Sequence, residues 1–149
     1  MLKLSCQLID AGKRYYRLVY EKNRTRGRKM REVASACLYI ACRVDGAPYM
    51  LMDFQEVSRV NVYRIGHSFI DFTRTLFLNL PHVDPSLFIP RFCSKLNINS
   101  NTRDVTETAY RILNAMDRDW MTTGKRPNGI CAAALLISAR CYGFDTTSA

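Results

Sequence analysis

None of the six cysteines stands in a C-x-x-C pair, and the two histidines, His67 and His82, lie far from such spacing. A structural zinc site draws four ligands from close pairs, so this pattern predicts no metal, and no other cofactor is expected. Four of the cysteines sit in apolar helical stretches, where a thiol behaves as a small hydrophobe. The expectation is a reducing compartment without a disulfide framework. The longest apolar runs, Val33 to Cys42 and Ile130 to Ala139, are too short to span a bilayer, and no signal peptide opens the chain. A soluble, intracellular protein is therefore expected. Only seven glycines and five prolines occur in 149 residues, which disfavours disorder and favours long helices. A glycine-rich phosphate loop is missing, as is any nucleophile–base arrangement, so no catalytic residue and no enzyme activity are predicted. Cys37 and Arg43 do share the C-x5-R spacing of cysteine phosphatases, but that chemistry needs a phosphate-cradling loop, and these residues lie in an apolar helix.

Acid is scarce in one place. Between Lys13 and Arg31 there are nine basic residues and a single acid, Glu21, whereas the rest of the chain carries thirteen basic and twelve acidic residues. Almost the entire net charge of +9 is thus concentrated in nineteen residues, which points to a polyanionic partner.

Apolar periodicity supplies the elements. Leu4, Leu8, Ala11, Tyr15 and Leu18 predict an amphipathic helix over 3–21, broken by the polar stretch Asn23 to Gly27. Residues 30–44 form a second helix with almost no polar face, and such a helix must be surrounded by others. Asp53 with Glu56 reads as a capping box opening a short helix that holds Phe54, Val57 and Val60. After a turn at Val60 and Asn61, a stripe of Val62, Ile65, Phe69, Phe72, Leu76 and Leu80 predicts a longer helix. Beyond the connector at Pro81, Asp84 and Pro85, Pro90 suits the first turn of a helix holding Phe92, Cys93 and Leu96. Val105, Ala109, Ile112, Met116 and Trp120 place another helix at 102–122. After Gly124 and Pro127, residues 129–142 repeat the all-apolar character.

That repetition is an internal repeat. Residues 27–46 (GRKMREVASACLYIACRVDG) set against 124–143 (GKRPNGICAAALLISARCYG) give six identities in twenty, at Gly27/Gly124, Ala36/Ala133, Leu38/Leu135, Ile40/Ile137, Arg43/Arg140 and Gly46/Gly143. Unrelated segments of this composition would share about one or two. The offset of 97 residues leaves room for only part of each unit. The expected organisation is therefore 1–82 as a first unit without its opening helix and 83–149 as the start of a second, truncated one.

The first of these segments resembles the first cyclin-like repeat of the transcription factor IIB family: a basic loop, a central A-S-A-C-L-Y-I-A-C-R helix, then a short helix–turn–helix. Residues 60–66 (VNVYRIG), 84–96 (DPSLFIPRFCSKL) and 119–140 (DWMTTGKRPNGICAAALLISAR) are most similar to the TFIIB-related factor of RNA polymerase III. The resemblance implies an all-α chain of tandem cyclin-like repeats, each a five-helix fold with its third helix at the centre. It implies a nuclear initiation factor that bridges the TATA-box-binding protein, promoter DNA and RNA polymerase III. The family's amino-terminal zinc ribbon has no counterpart here, nor have the last two helices of the second repeat.

Arg28, Lys29 and Arg31 open the second predicted helix, where the helix dipole disfavours cations by ~0.3 to 1 kcal/mol each if they are unopposed. A bound phosphate would remove that penalty and use the free N–H groups of the helix end. Lys125 and Arg126 repeat the placement, and Arg24 and Arg26 belong to the same basic loop. The resemblance implies that Gly27 and Arg28 contact the DNA backbone, with glycine allowing close approach. Such contacts position a duplex and do not read bases. The helix–turn–helix corner at Val60 to Ile65 is assigned to packing. Arg43 and Arg140 close their helices, where a cation suits the dipole. Trp120 is expected in the core or at its rim. Two alternatives stay open: an initiation factor of RNA polymerase II from the same family, and a cyclin-type kinase-regulatory subunit, for which the basic loop offers no reason.

Overall fold

The computed structural model describes residues 4–96 and 102–144; residue 3, the first of the predicted opening helix, lies outside them. Among the described residues there are seven α-helices and one 3-10 turn, and no strand. The chain divides into two compact units, Met1–His82 and Val83–Ala149.

The first unit contains α1 (Cys6–Glu21), α2 (Met30–Val44), α3 (Leu51–Ser58) and α4 (Val62–Thr75). Helix α1 begins at Ser5, whose hydroxyl accepts a 3.4 Å bond from the Leu8 N–H and satisfies one free donor of the first turn. Its buried face is Leu8, Gly12 and Val19, whereas Leu18 of the predicted stripe is exposed. The face is rotated because Gly12 meets α2: a β-carbon at this position would lie 2.5 Å from Leu38 Cδ2. Any larger residue here would force the Leu38 side chain to shift.

Helix α2 is the middle of the unit. Val33, Ala36, Cys37, Ile40, Ala41 and Cys42 are all essentially inaccessible, and Phe54, Ile65 and Phe72 from α3 and α4 close the core around them. Tyr39 stands edge-on to Phe54 and Phe69, with ring centroids 5.8 and 4.9 Å away. Asp53 does not open α3 as predicted. It occupies the first turn and its carboxylate accepts from the Met50 N–H at 2.8 Å, so the helix starts earlier and Val60 falls outside it.

Helix α4 stops at Thr75, short of the predicted Leu80. Phe77 adopts a left-handed φ of 51°, and the Leu78 and Phe77 N–H groups bond back to Thr73 and Arg74. This is the Schellman closure, which satisfies the last helical carbonyls and turns the chain away.

In the second unit Pro85–Phe88 forms the 3-10 turn, capped by Asp84 on the Ser86 N–H at 2.8 Å. It leads into α5 (Ile89–Lys95), followed by α6 (Thr102–Arg118) and α7 (Pro127–Cys141). Ile89, Cys93, Val105, Ala109, Cys131, Ala134 and Ala139 form its core. The buried Ser138 hydroxyl donates to the Val105 carbonyl at 2.6 Å. Helix α7 is not enclosed as α2 is: Ala132, Ala133 and Ile137 (47% exposed) lie on its open side. Helix α6 ends four residues before the predicted 122, and Trp120 lies past it, 80% exposed, not in a core.

The internal repeat reaches down to single backbone bonds. Left-handed residues recur at the 97-residue offset in Asn23 and Trp120, Gly27 and Gly124, and Gly46 and Gly143. The bond from Arg24 N–H to the Val19 carbonyl is matched by that from Met121 to Met116. The bond from Arg28 to Thr25 is matched by that from Lys125 to Thr122, and that from Ala47 to Cys42 by Phe144 to Ala139.

Candidate nucleic-acid interface

The loop between α1 and α2 is bounded by two left-handed residues, Asn23 (φ 55°) and Gly27 (φ 79°). A β-carbon on Gly27 would meet nothing within 4 Å, so glycine answers here to the dihedral alone and leaves the backbone uncovered. Arg28 turns inward. Its guanidinium bonds to the Asp71 carboxylate of α4 at 2.9 Å and lies 5.0 Å from the centre of the Phe72 ring, leaving its side chain 27% exposed. Arg24 reaches the other oxygen of Asp71 at 3.8 Å.

Arg28 is therefore not an unopposed cation at the start of α2. Asp71 faces it, and Glu32 puts a carboxylate in the first turn of the same helix. Arg26, Lys29 and Arg31 are exposed and form no ion pair among the described residues. Lys29 is the residue that caps α2, with no side-chain bond to the helix. Arg31 and Arg59 flank a shallow hollow of about 540 Å³ floored by Ala34, Leu38 and Val57.

Lys125 and Arg126 occupy the corresponding positions in the second unit, both exposed, with Arg126 at the cap of α7. The first turn of α7 has no acid, and Gly129 stands where the first unit has Glu32. Among the described residues these two cations are thus unopposed at their helix end, as Arg28 is not.

Glu32 was not legible as a special residue. Only 5% exposed, it accepts from the Ser68 hydroxyl at 2.5 Å and has Arg64 Nε 3.4 Å from its second oxygen, which ties α2 to α4. The sequence signal was an acid inside an otherwise apolar helix. Arg43 donates to the Pro81 carbonyl at 2.7 Å and so holds the connector.

Among the described residues no group of three or more metal-binding side chains converges, and no helix is long and apolar enough to cross a membrane. The Cys37 thiol of the C-x5-R spacing is buried in α2, where desolvation pushes its pKa up to about 12, so no thiolate forms at neutral pH.

The sequence pattern described as "Transcription factor TFIIB repeat" matches the chain twice, over residues 1–75 and 78–149. The chain belongs to the TFIIB repeat family. Its all-helical units are the cyclin-like repeats of that family. The human transcription factor IIIB 90 kDa subunit is 43% identical over 146 residues, which is 98% of this chain and 22% of the relative. The transcription factor IIIB 60 kDa subunit of Schizosaccharomyces pombe is 43% identical over 143 residues, 96% of this chain and 29% of the relative. Transcription initiation factor IIB of Methanothrix thermoacetophila is 38% identical over 138 residues, 93% of this chain and 40% of the relative. This TFIIB-repeat chain therefore spans well under half the length of each of these proteins.

Proposed function

We propose that this pair of TFIIB repeats belongs to a nuclear, non-enzymatic initiation factor of RNA polymerase III, joining promoter DNA and the TATA-box-binding protein to the polymerase. The observation that carries this reading is the double match to the TFIIB repeat in a chain whose excess charge gathers at the loop before α2. The polymerase III form is supported by 42–43% identity to three transcription factor IIIB subunits, against 38% to the archaeal factor IIB, with two further factor IIIB subunits at 37% and 34%. We assign α1 to α4 as helices two to five of the first repeat, within residues 1–82, and α5 to α7 as helices one to three of the second, within 83–149.

The phosphate contacts are assigned to the basic loop and its repeat. Arg26, Lys29 and Arg31 in the first unit, with Lys125 and Arg126 in the second, are free to meet an anion, and Gly27 offers bare backbone between them. Arg24 and Arg28 are held by Asp71, so they act in phosphate binding only by sharing their remaining N–H groups.

The test is a gel shift with a TATA-containing duplex, with and without the TATA-box-binding protein, across a salt series. A ternary complex is expected. In a variant carrying Arg26→Ala, Lys29→Ala and Arg31→Ala, the log–log salt slope should flatten by about 0.9 for every phosphate no longer neutralised. A folded chain that forms no ternary complex sinks the bridging reading. Stronger capture by purified RNA polymerase II than by polymerase III would move the protein to the other branch of the family.

A further inference from the structure

Five helix ends among the described residues close with the same backbone bond and a left-handed residue, namely Asn23, Gly46, Phe77, Trp120 and Gly143. Glycine is the usual occupant and asparagine the usual substitute. A bulky side chain at such a φ pushes its β-carbon against the neighbouring carbonyl oxygen, a cost that makes its side chain worth a functional reading. Phe77 has a partner: the Lys22 ammonium lies 5.7 Å from its ring centre and is itself fixed to the Thr75 carbonyl at 2.9 Å. Among the described residues no cation covers Trp120 (φ 58°). It is 80% exposed, and its neighbour Met121 is 60% exposed. The repeat supplies the control, because the same turn with the same backbone bonds is made by Asn23 in the first unit.

The surroundings point to the occupant. Arg118, Lys125 and Arg126 are exposed cations in the segment around Trp120, against two acids, Asp117 and Asp119. Asp117 is engaged within the turn, accepting from the Thr122 hydroxyl at 3.0 Å. The start of α7 behind Lys125 and Arg126 carries no acid and presents the positive end of the helix dipole. An exposed indole followed within six residues by two cations that form no ion pair among the described residues, at an anion-favouring helix end, matches the sugar–phosphate edge of nucleic acid.

We propose that Trp120 is a DNA-contacting wedge, its indole packed against the sugars and base edges of the duplex while Lys125 and Arg126 hold the adjoining phosphates. This rests on the promoter-binding reading above and adds an apolar contact to it. Apolar side chains that press between base steps kink a duplex and widen the surface it shares with protein. The left-handed backbone thus holds the indole out from the helix bundle, where such a contact needs it.

Trp120 is the sole tryptophan, so its fluorescence reports one side chain. Acrylamide quenching should be measured for the whole chain alone, with a TATA-containing duplex, with the TATA-box-binding protein (its own fluorescence subtracted), and with both. Protection is expected on adding duplex, alone or in the ternary complex, and not with the TATA-box-binding protein by itself. Trp120→Asn should lower affinity for the duplex by roughly fivefold, the loss expected from about 1 kcal/mol of buried apolar contact. Its salt slope should stay unchanged, because the variant keeps every cation. The variant should also melt above the parent, since asparagine suits the left-handed turn, and that removes misfolding as an explanation. Lys125→Ala with Arg126→Ala should instead flatten the slope by about 1.8, at 0.9 for each phosphate. A tryptophan that stays fully quenchable in a demonstrated DNA complex overturns the wedge and leaves the bridging function standing. Protection by the TATA-box-binding protein alone overturns it in favour of a protein contact. Absence of any DNA complex overturns both.

Discussion

Replacing Asp71 by asparagine is expected to weaken the fold and strengthen the grip on DNA at once. The carboxylate sits between two guanidiniums, 2.9 Å from Arg28 and 3.8 Å from Arg24, with its side chain 31% exposed. A hydrogen bond to a charged group contributes ~1.5 to 3 kcal/mol when well buried. Solvent reaches this pair, so its contribution falls below that range, to about 1 kcal/mol. The buried Nη1 of Arg28 has no hydrogen-bond partner, so removing the anion leaves a partly desolvated cation over Phe72 with little to oppose it. For a unit of this size each kcal/mol lowers the melting temperature by about 4–8 °C. The assay is a double-mutant cycle by urea unfolding, with Asp71→Asn, Arg28→Met and the pair together. Methionine keeps hydrocarbon over the Phe72 ring. A coupling of about 1 kcal/mol is expected, and a cycle that adds to within ~0.3 kcal/mol would refute the claim that Asp71 holds Arg28. In the DNA arm, freeing Arg24 and Arg28 should steepen the salt slope of Asp71→Asn. If affinity falls in step with stability instead, these two arginines have no share in phosphate binding.

Two further outcomes follow from the core. Gly12→Val should destabilise the first unit by ~1 to 3 kcal/mol through overpacking against Leu38, and adding Leu38→Ala should recover part of that deficit; strict additivity would show that the helices do not touch there. Burial pushes the thiol of Cys37 up to about 12 and that of Cys131 up to about 11; that of Cys42 also rises to about 11, through burial first and then the Asp45 charge. In the unfolded chain these thiols ionise near pH ~8.5. Their contribution to stability is therefore whole below that pH and declines as pH rises towards 11–12, because the unfolded state then binds fewer protons. Unfolding midpoints measured from pH 8 to 11 should fall accordingly, beyond the fall of a Cys37→Ala, Cys42→Val, Cys131→Ala variant. At pH 8 a thiol reagent should quickly modify only Cys6 and Cys141, the two exposed cysteines.

The central helix was legible because an all-apolar run can only be enclosed, and the repeat because glycine marks the same left-handed turns in both units. The ends of α4 and α6 were not, since Phe77 and Trp120 hold positions that glycine would announce. A stripe of apolar residues continues through such a stop without a sign of it. The candidate site was legible as charge but not as partnership. Asp71 lies 43 residues from Arg28, and no local pattern links an acid on one helix face with a loop arginine so far away. Glu32 escaped for the same reason, its meaning resting on Ser68 and Arg64.

The matched Schellman closures separate support from display. The turns that follow α1 and α6 are held by main-chain bonds, so their side chains are free to diverge while the path of the chain is kept. One copy has become a cluster of arginines around an asparagine; the other presents an indole and a thioether. The turn works as an exchangeable mount, and residues 23–26 transplanted onto 120–123 should fold in place and carry the first unit's binding character with them.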